Sequence, residues 1–148
     1  MKHIEYLDLP PIPEHFVKSI EEIIALPPKE MTAVPEAYHN VFNTRNVEDD
    51  LNEWLRTIFH FPMYAQYQLI YRGIPVHKDK SDRLVAYNYL LATGGPNVIT
   101  TIFDDSMKML QFEKLELHRW HRIETGYFHG VHGISPVSIR VSISITPI

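Results

Sequence analysis

Apolar positions in residues 14–26 (EHFVKSIEEIIAL) recur with a helical period, placing Phe16, Ile20, Ile23 and Ile24 on one side. Pro11 and Pro13 precede this run and Pro27-Pro28 follow it, so the pattern predicts a short amphipathic helix between residues that cannot continue it. A second helix is predicted over residues 47–60, with Val47, Leu51, Trp54, Leu55 and Ile58 as its buried stripe. Asn46 is the expected N-cap, and Glu48, Asp49 and Asp50 put negative charge in the first turn, where the helix dipole favours it. Residues 29–45 carry prolines, Asn40 and Asn43 and no sustained period, which predicts a long connection with room for a short strand. After Pro62 the period changes to two. Residues 64–71, 84–91, 98–103, 114–123, 127–131 and 138–145 are rich in aromatic and β-branched side chains and predict strands. Gly73, Gly94-Gly95-Pro96-Asn97, Asp104-Asp105-Ser106 and the stretch from Gly133 to Pro136 supply the turns, with room for one helical turn at 106–109. The expectation is a single domain over 1–148. A helical segment, 1–61, packs on one side of an antiparallel β-sandwich or barrel formed by 62–148.

Composition narrows the chemistry. The 148 residues carry 18 acidic and 14 basic side chains, a formal net charge of −4, and so no electrostatic surplus for a phosphate backbone. This argues against nucleic acid as the partner. Cysteine is absent, which excludes disulfides, thiolate metal sites and cysteine nucleophiles and leaves nitrogen and oxygen as the only metal donors. No run approaches the roughly 18 apolar residues of a membrane span, and the start, Met1-Lys2-His3-Ile4-Glu5, has no apolar leader pattern, so a soluble, cytoplasmic protein with no membrane partner is expected. Nine histidines stand out, among them His77, His118, His121, His129 and His132 in the second half.

His77 and Asp79 lie two residues apart at the end of an extended run, Ile74-Pro75-Val76-His77-Lys78-Asp79. On a strand, residues i and i+2 share a face, so both can reach one ion while Lys78 points away. A third ligand would come from another strand. His129 and His132 are the candidates, and their odd separation turns them to opposite faces of a regular strand, so at most one looks inward. Two histidines and a carboxylate on one face, with positions left open, suit non-haem Fe(II). In Ile139-Arg140-Val141-Ser142-Ile143-Ser144-Ile145 strict alternation puts Arg140, Ser142 and Ser144 on a common face. A guanidinium fork with a hydroxyl beside it suits a carboxylate. The segment from His118 to Arg122 mixes basic and aromatic residues, but on a strand these divide between two faces, most of them outward, with His121 a candidate for the cavity mouth.

The ordered set His77-x-Asp79, His129, Arg140-x-Ser142 resembles the Fe(II)/2-oxoglutarate-dependent dioxygenases. The resemblance is greatest to the short prolyl- and aspartyl-hydroxylase-like proteins of bacteria and phages, through Asn88-Tyr89-Leu90 and the run from His129 to Ile134 as well, and it spans residues 66–145. It implies a double-stranded β-helix, a jelly-roll or cupin-like barrel. It also implies Fe(II) on His77, Asp79 and His129, and 2-oxoglutarate paired through its distal carboxylate with Arg140 and Ser142. By the same resemblance Asn88 or Tyr71 could hydrogen-bond the co-substrate. O2 and a small molecule or protein side chain would be the other reactants. The stretch from His129 to Arg140 is longer than in such relatives, with the extra length placed at Ser135-Pro136-Val137, and His132 competes as the distal ligand through its own run to Val137. Two other readings stay open: a cupin-type metal-dependent isomerase or epimerase, and a non-catalytic barrel used for binding or assembly.

Overall fold

A computed structural model describes residues 2–29, 41–79 and 84–148. Ten strands form two antiparallel sheets. The larger, in the order β1-β8-β5-β10-β3-β2, combines β1 (Ile4–Tyr6), β8 (Trp120–Ile123), β5 (Ala86–Thr93), β10 (Arg140–Pro147), β3 (Met63–Ile70) and β2 (Phe42–Asn46). The smaller runs β4-β9-β6-β7, from β4 (Ile74–His77), β9 (Phe128–His132), β6 (Ile99–Phe103) and β7 (Met109–Glu113). From β3 to β10 successive strands alternate between the two sheets except at β6 and β7, which form a hairpin within the smaller one. This arrangement is a double-stranded β-helix, the jelly-roll of cupins. Among the described residues no helix is long and apolar enough to cross a membrane.

The helices are shorter than predicted. A 3-10 turn, Glu14–Phe16, precedes α1 (Ile20–Ala25), which opens with a capping box in which Ser19 and Glu22 exchange side-chain and backbone bonds. α2 (Asp49–Leu55) is capped at Glu48 rather than at Asn46, which ends β2 instead. Glu48 accepts a hydrogen bond from the Tyr67 hydroxyl at 2.8 Å, and burial beside that carboxylate pushes the Tyr67 pKa up. The N-terminal segment also supplies two strands of the large sheet: β2, at the end of the connection expected to have room for a short strand, and β1, which the sequence pattern does not announce.

Alternation sorts the large sheet into two faces. Tyr67, Leu69, Tyr89, Trp120, Val141, Ile143 and Ile145 face the helices and meet Ile23, Leu51, Leu55 and Phe59 in the main core. Phe59 stacks on Trp120 and Tyr87 at centroid distances of 5.0 and 5.4 Å, and Phe16 lies 6.2 Å from Trp54, so these aromatics fasten the helices to the sheet. The opposite face looks into the space between the sheets. Ile4, Ala86, Leu90 and Ile123 meet Ile102 of the smaller sheet there, with Leu115. The same face carries the polar Gln66, Gln68, Asn88, His121, Arg140, Ser142 and Ser144, with the apolar Ile70 and Phe42 level with Arg140.

Two boundaries differ from expectation. The predicted strand 114–123 is β8 alone at its C-terminal end, because Leu115 turns inward and His118 takes a left-handed conformation, φ 58°. The helical turn expected at 106–109 is a tight turn with Met107 at φ 63°, its amides held by the Asp104 carboxylate, which accepts from Ser106 and Lys108 N–H. Asn40, in the predicted connection, lies outside the described residues.

Candidate metal centre

His77 and His129 are paired residues of adjacent antiparallel strands, so their side chains leave the same face side by side. The pairing of β4 with β9 slips between Ile74 and His77, an irregularity that takes in Pro75, which has no N–H to give to a ladder. Gly73 opens β4 at φ 96°, and a Cβ there would stand 2.6 Å from the Val131 carbonyl oxygen, so the β3–β4 turn needs a glycine. Asp79 follows β4 and donates its backbone N–H to the Thr125 carbonyl at 3.1 Å, which ties it to the loop before β9. Lys78 points the other way, reaching Asp105 at 2.6 Å and covering the Phe128 ring at 4.8 Å.

The donor set is arranged as ligands require. His77 Nδ1 donates to the Pro75 carbonyl at 2.8 Å and His129 Nδ1 to the Tyr127 carbonyl at 2.7 Å. A carbonyl only accepts, so each Nδ1 carries a hydrogen and each ring turns Nε2 toward Asp79. Those two nitrogens lie 3.2 and 3.3 Å from one oxygen, Oδ1 of Asp79. One ligand atom from each of the three residues thus lies within 4.8 Å of the other two, a grouping that could hold a metal ion. Donors on adjacent positions of an ion with bonds of about 2.1 Å stand roughly 3 Å apart, so the spacing fits a first-row divalent metal. The side chains of Asp79 and His129 are 12% exposed and that of His77 is 26% exposed, leaving one side open to an incoming ligand.

His132 is elsewhere. It pairs with Ile99 and its Nε2 lies 2.9 Å from the Thr101 hydroxyl, on the face of the smaller sheet opposite His129. The added length after His129 is an exposed turn, with Val137 fully exposed and Ser135 N–H bonded to the Gly94 carbonyl.

Arg140, 4% exposed, lies on the inner face with an Nη1 that has no hydrogen-bond partner, and no carboxylate pairs with it among the described residues. Burial lowers its pKa to about 10. Ser142, on the same face, donates to Gln68 Oε1 at 3.3 Å. Asn88 is on this face too, opposite Ser144, and its Oδ1 is buried without a partner. Tyr71 is not with them: it follows β3 on the helix side, packs against the main core and accepts a hydrogen bond from Asn43 at 3.4 Å. Its step of two from Leu69 puts it on that residue's side, away from the face that carries Gln68. The basic aromatic segment is no patch either. Arg119 pairs with Glu116 and covers the Tyr6 ring, Arg122 reaches Glu124 at 3.3 Å, and His121 is buried inside.

No protein-family model and no curated protein matches the sequence. Solved structures do match the fold. An oxidoreductase of the 2OG-Fe(II) oxygenase family from Burkholderia pseudomallei superposes with a TM-score of 0.58 at 10% identity, over 84% of this chain and 72% of that one. An oxalate decarboxylase superposes at 0.50 and 10% identity, over 84% of this chain but only 28% of that one. The likeness at this identity is one of fold, and it places the chain among double-stranded β-helix proteins.

Proposed function

We propose that the chain is an Fe(II)- and 2-oxoglutarate-dependent oxygenase that hydroxylates an amino-acid side chain or a small molecule. The observation that carries this reading is a pairing within one lumen: a two-histidine, one-carboxylate group whose ligand atoms lie within 4.8 Å of one another, and a buried arginine that no carboxylate pairs with among the described residues. A metal centre alone needs no such arginine, and a buried guanidinium without an anion is a costly feature unless a ligand supplies one. A dicarboxylic 2-oxo acid satisfies both, its oxo-acid end toward the ion and its far carboxylate on Arg140. The shared fold with a protein of the 2OG-Fe(II) oxygenase family supports the same reading.

His77, Asp79 and His129 would hold the ion and leave positions open, and the bound iron would supply the activation of O2 coupled to oxidation of the co-substrate. Arg140, with Ser142 beside it, would fix the far carboxylate through charge-assisted hydrogen bonds and so set the direction in which the co-substrate lies. The apolar wall of Ala86, Leu90, Ile102 and Ile123 would keep water away from the reacting end.

Anaerobic addition of Fe(II) and then 2-oxoglutarate tests this. The visible charge-transfer absorption of an iron–keto acid chelate should appear in the parent and disappear in Asp79→Ala, and Arg140→Ala should need at least about tenfold more co-substrate to reach it. Iron binding without any chelate absorption would overturn the oxygenase reading in favour of a metal enzyme that needs no co-substrate.

A further inference from the structure

Among the described residues His121 is the one buried histidine of the inner face outside the metal group, and neither the metal nor the arginine accounts for it. It is 2% exposed, on β8, where Trp120 takes the helix side and turns it inward. Strand register places it in a row across the large sheet: Tyr6 pairs with His121, His121 with Asn88, Asn88 with Ser144, and Ser144 with Gln66. Three consecutive members of that row have buried atoms without a hydrogen-bond partner, His121 Nδ1, Asn88 Oδ1 and Ser144 Oγ. Arg140 Nη1 is a fourth on the same face. Buried polar atoms are paired as a rule, so several orphans gathered on one wall of a lumen describe a ligand's outline rather than scattered defects.

We propose that His121 is a positioning residue of the co-substrate subsite: its Nδ1–H donates to the carboxylate that Arg140 receives, with Asn88 and Ser144 completing the wall. The inference rests on the oxygenase reading and deepens it by assigning a second, uncharged donor to the anion. Arg140 stands close enough for its charge to act on the imidazole, and burial together with that charge lowers the His121 pKa to about 3. The ring is therefore neutral at working pH. A neutral donor adds a hydrogen bond without placing a second cation against the guanidinium, which a lysine in the same position would do.

The test compares two probes on the Fe(II)-loaded protein under anaerobic conditions: 2-oxoglutarate, and 2-oxobutanoate, which keeps the chelating end and lacks the far carboxylate. The parent should favour 2-oxoglutarate. His121→Leu should lose about tenfold in 2-oxoglutarate affinity with 2-oxobutanoate unchanged, and His121→Asn, whose amide N–H lies close to the position of Nδ1, should recover most of the loss. An equal loss for both acids would show that His121 only supports the fold, and no loss for either would show that it touches nothing; each result overturns the inference. If the parent itself shows no preference between the two acids, Arg140 is no carboxylate anchor. The failure then belongs to the oxygenase reading, and the inference falls with it.

Discussion

At the scale of single residues, His129 and His132 stand three positions apart on one strand and face opposite ways. His129 directs Nε2 to Asp79, whereas His132 contacts Thr101 on the opposite face. His129→Ala should therefore abolish binding of a divalent ion, and His132→Ala should leave its affinity within about twofold, as equilibrium dialysis can read. Tyr71→Phe should leave 2-oxoglutarate affinity unchanged, because that hydroxyl accepts from Asn43 on the helix side. The closeness of His77 to Asp79 and the common face of Arg140 and Ser142 were legible from alternation alone, since a side-chain period of two needs no partner strand to be read. Tyr71 was placed by the family resemblance and not by alternation, and its side of β3 is fixed only when Tyr67 and Leu69 are known to meet the helices. His121 had a signal: it alternates with Trp120, the largest apolar side chain of its run, which claims the core and leaves its neighbour to the lumen.

At the scale of elements, strands with strong alternation and clear turns were legible and short ones were not. β10, β3 and β5 lie within two residues of their expected spans, since each carries apolar side chains to the helix face. β1 has three residues, too few for a period, and is defined by pairing with β8 more than a hundred positions away. It also bridges the two sheets. Gln111 of β7 accepts at Oε1 from the N–H groups of His3 and Ile4, at 2.8 and 2.9 Å, and donates from Nε2 to the Ile4 carbonyl at 2.8 Å. Its amide acts as a piece of strand backbone that joins the large sheet to the small one. Gln111→Ala leaves those three backbone groups without their partner and should lower unfolding free energy by about 1–3 kcal/mol in urea titration. β7 itself was hidden because Met109, Leu110 and Phe112 are all exposed, so its apolar positions mark no buried face.

At the scale of the whole molecule, one side of the large sheet carries the main apolar core, and the other carries the buried polar groups His121, Arg140, Ser142 and Ser144 beside a smaller apolar cluster. Stability and binding are thereby largely separate, so substitutions of the inner polar residues should leave the fold standing. The inner face still carries one penalty that pH exposes. His121 titrates near its ordinary value of 6.5 in the unfolded chain and near 3 in the folded protein, where burial and Arg140 oppose its charge. Between those values the unfolded state binds the extra proton, so folding is weakened as pH falls from about 6.5 toward 3 and the penalty is absent above 6.5. Thermal unfolding of the parent should fall more steeply over that window than that of His121→Leu; parallel curves would contradict the buried, neutral assignment. The central claim is that His77, Asp79 and His129 form one metal centre, and titration with Mn(II), followed by the disappearance of the free ion's paramagnetic resonance signal, tests it most directly. The account predicts one ion bound per chain in the parent and in His132→Ala, and none in Asp79→Ala at the same concentrations. Equal binding by the parent and Asp79→Ala, or no binding by a well-folded parent, would contradict it.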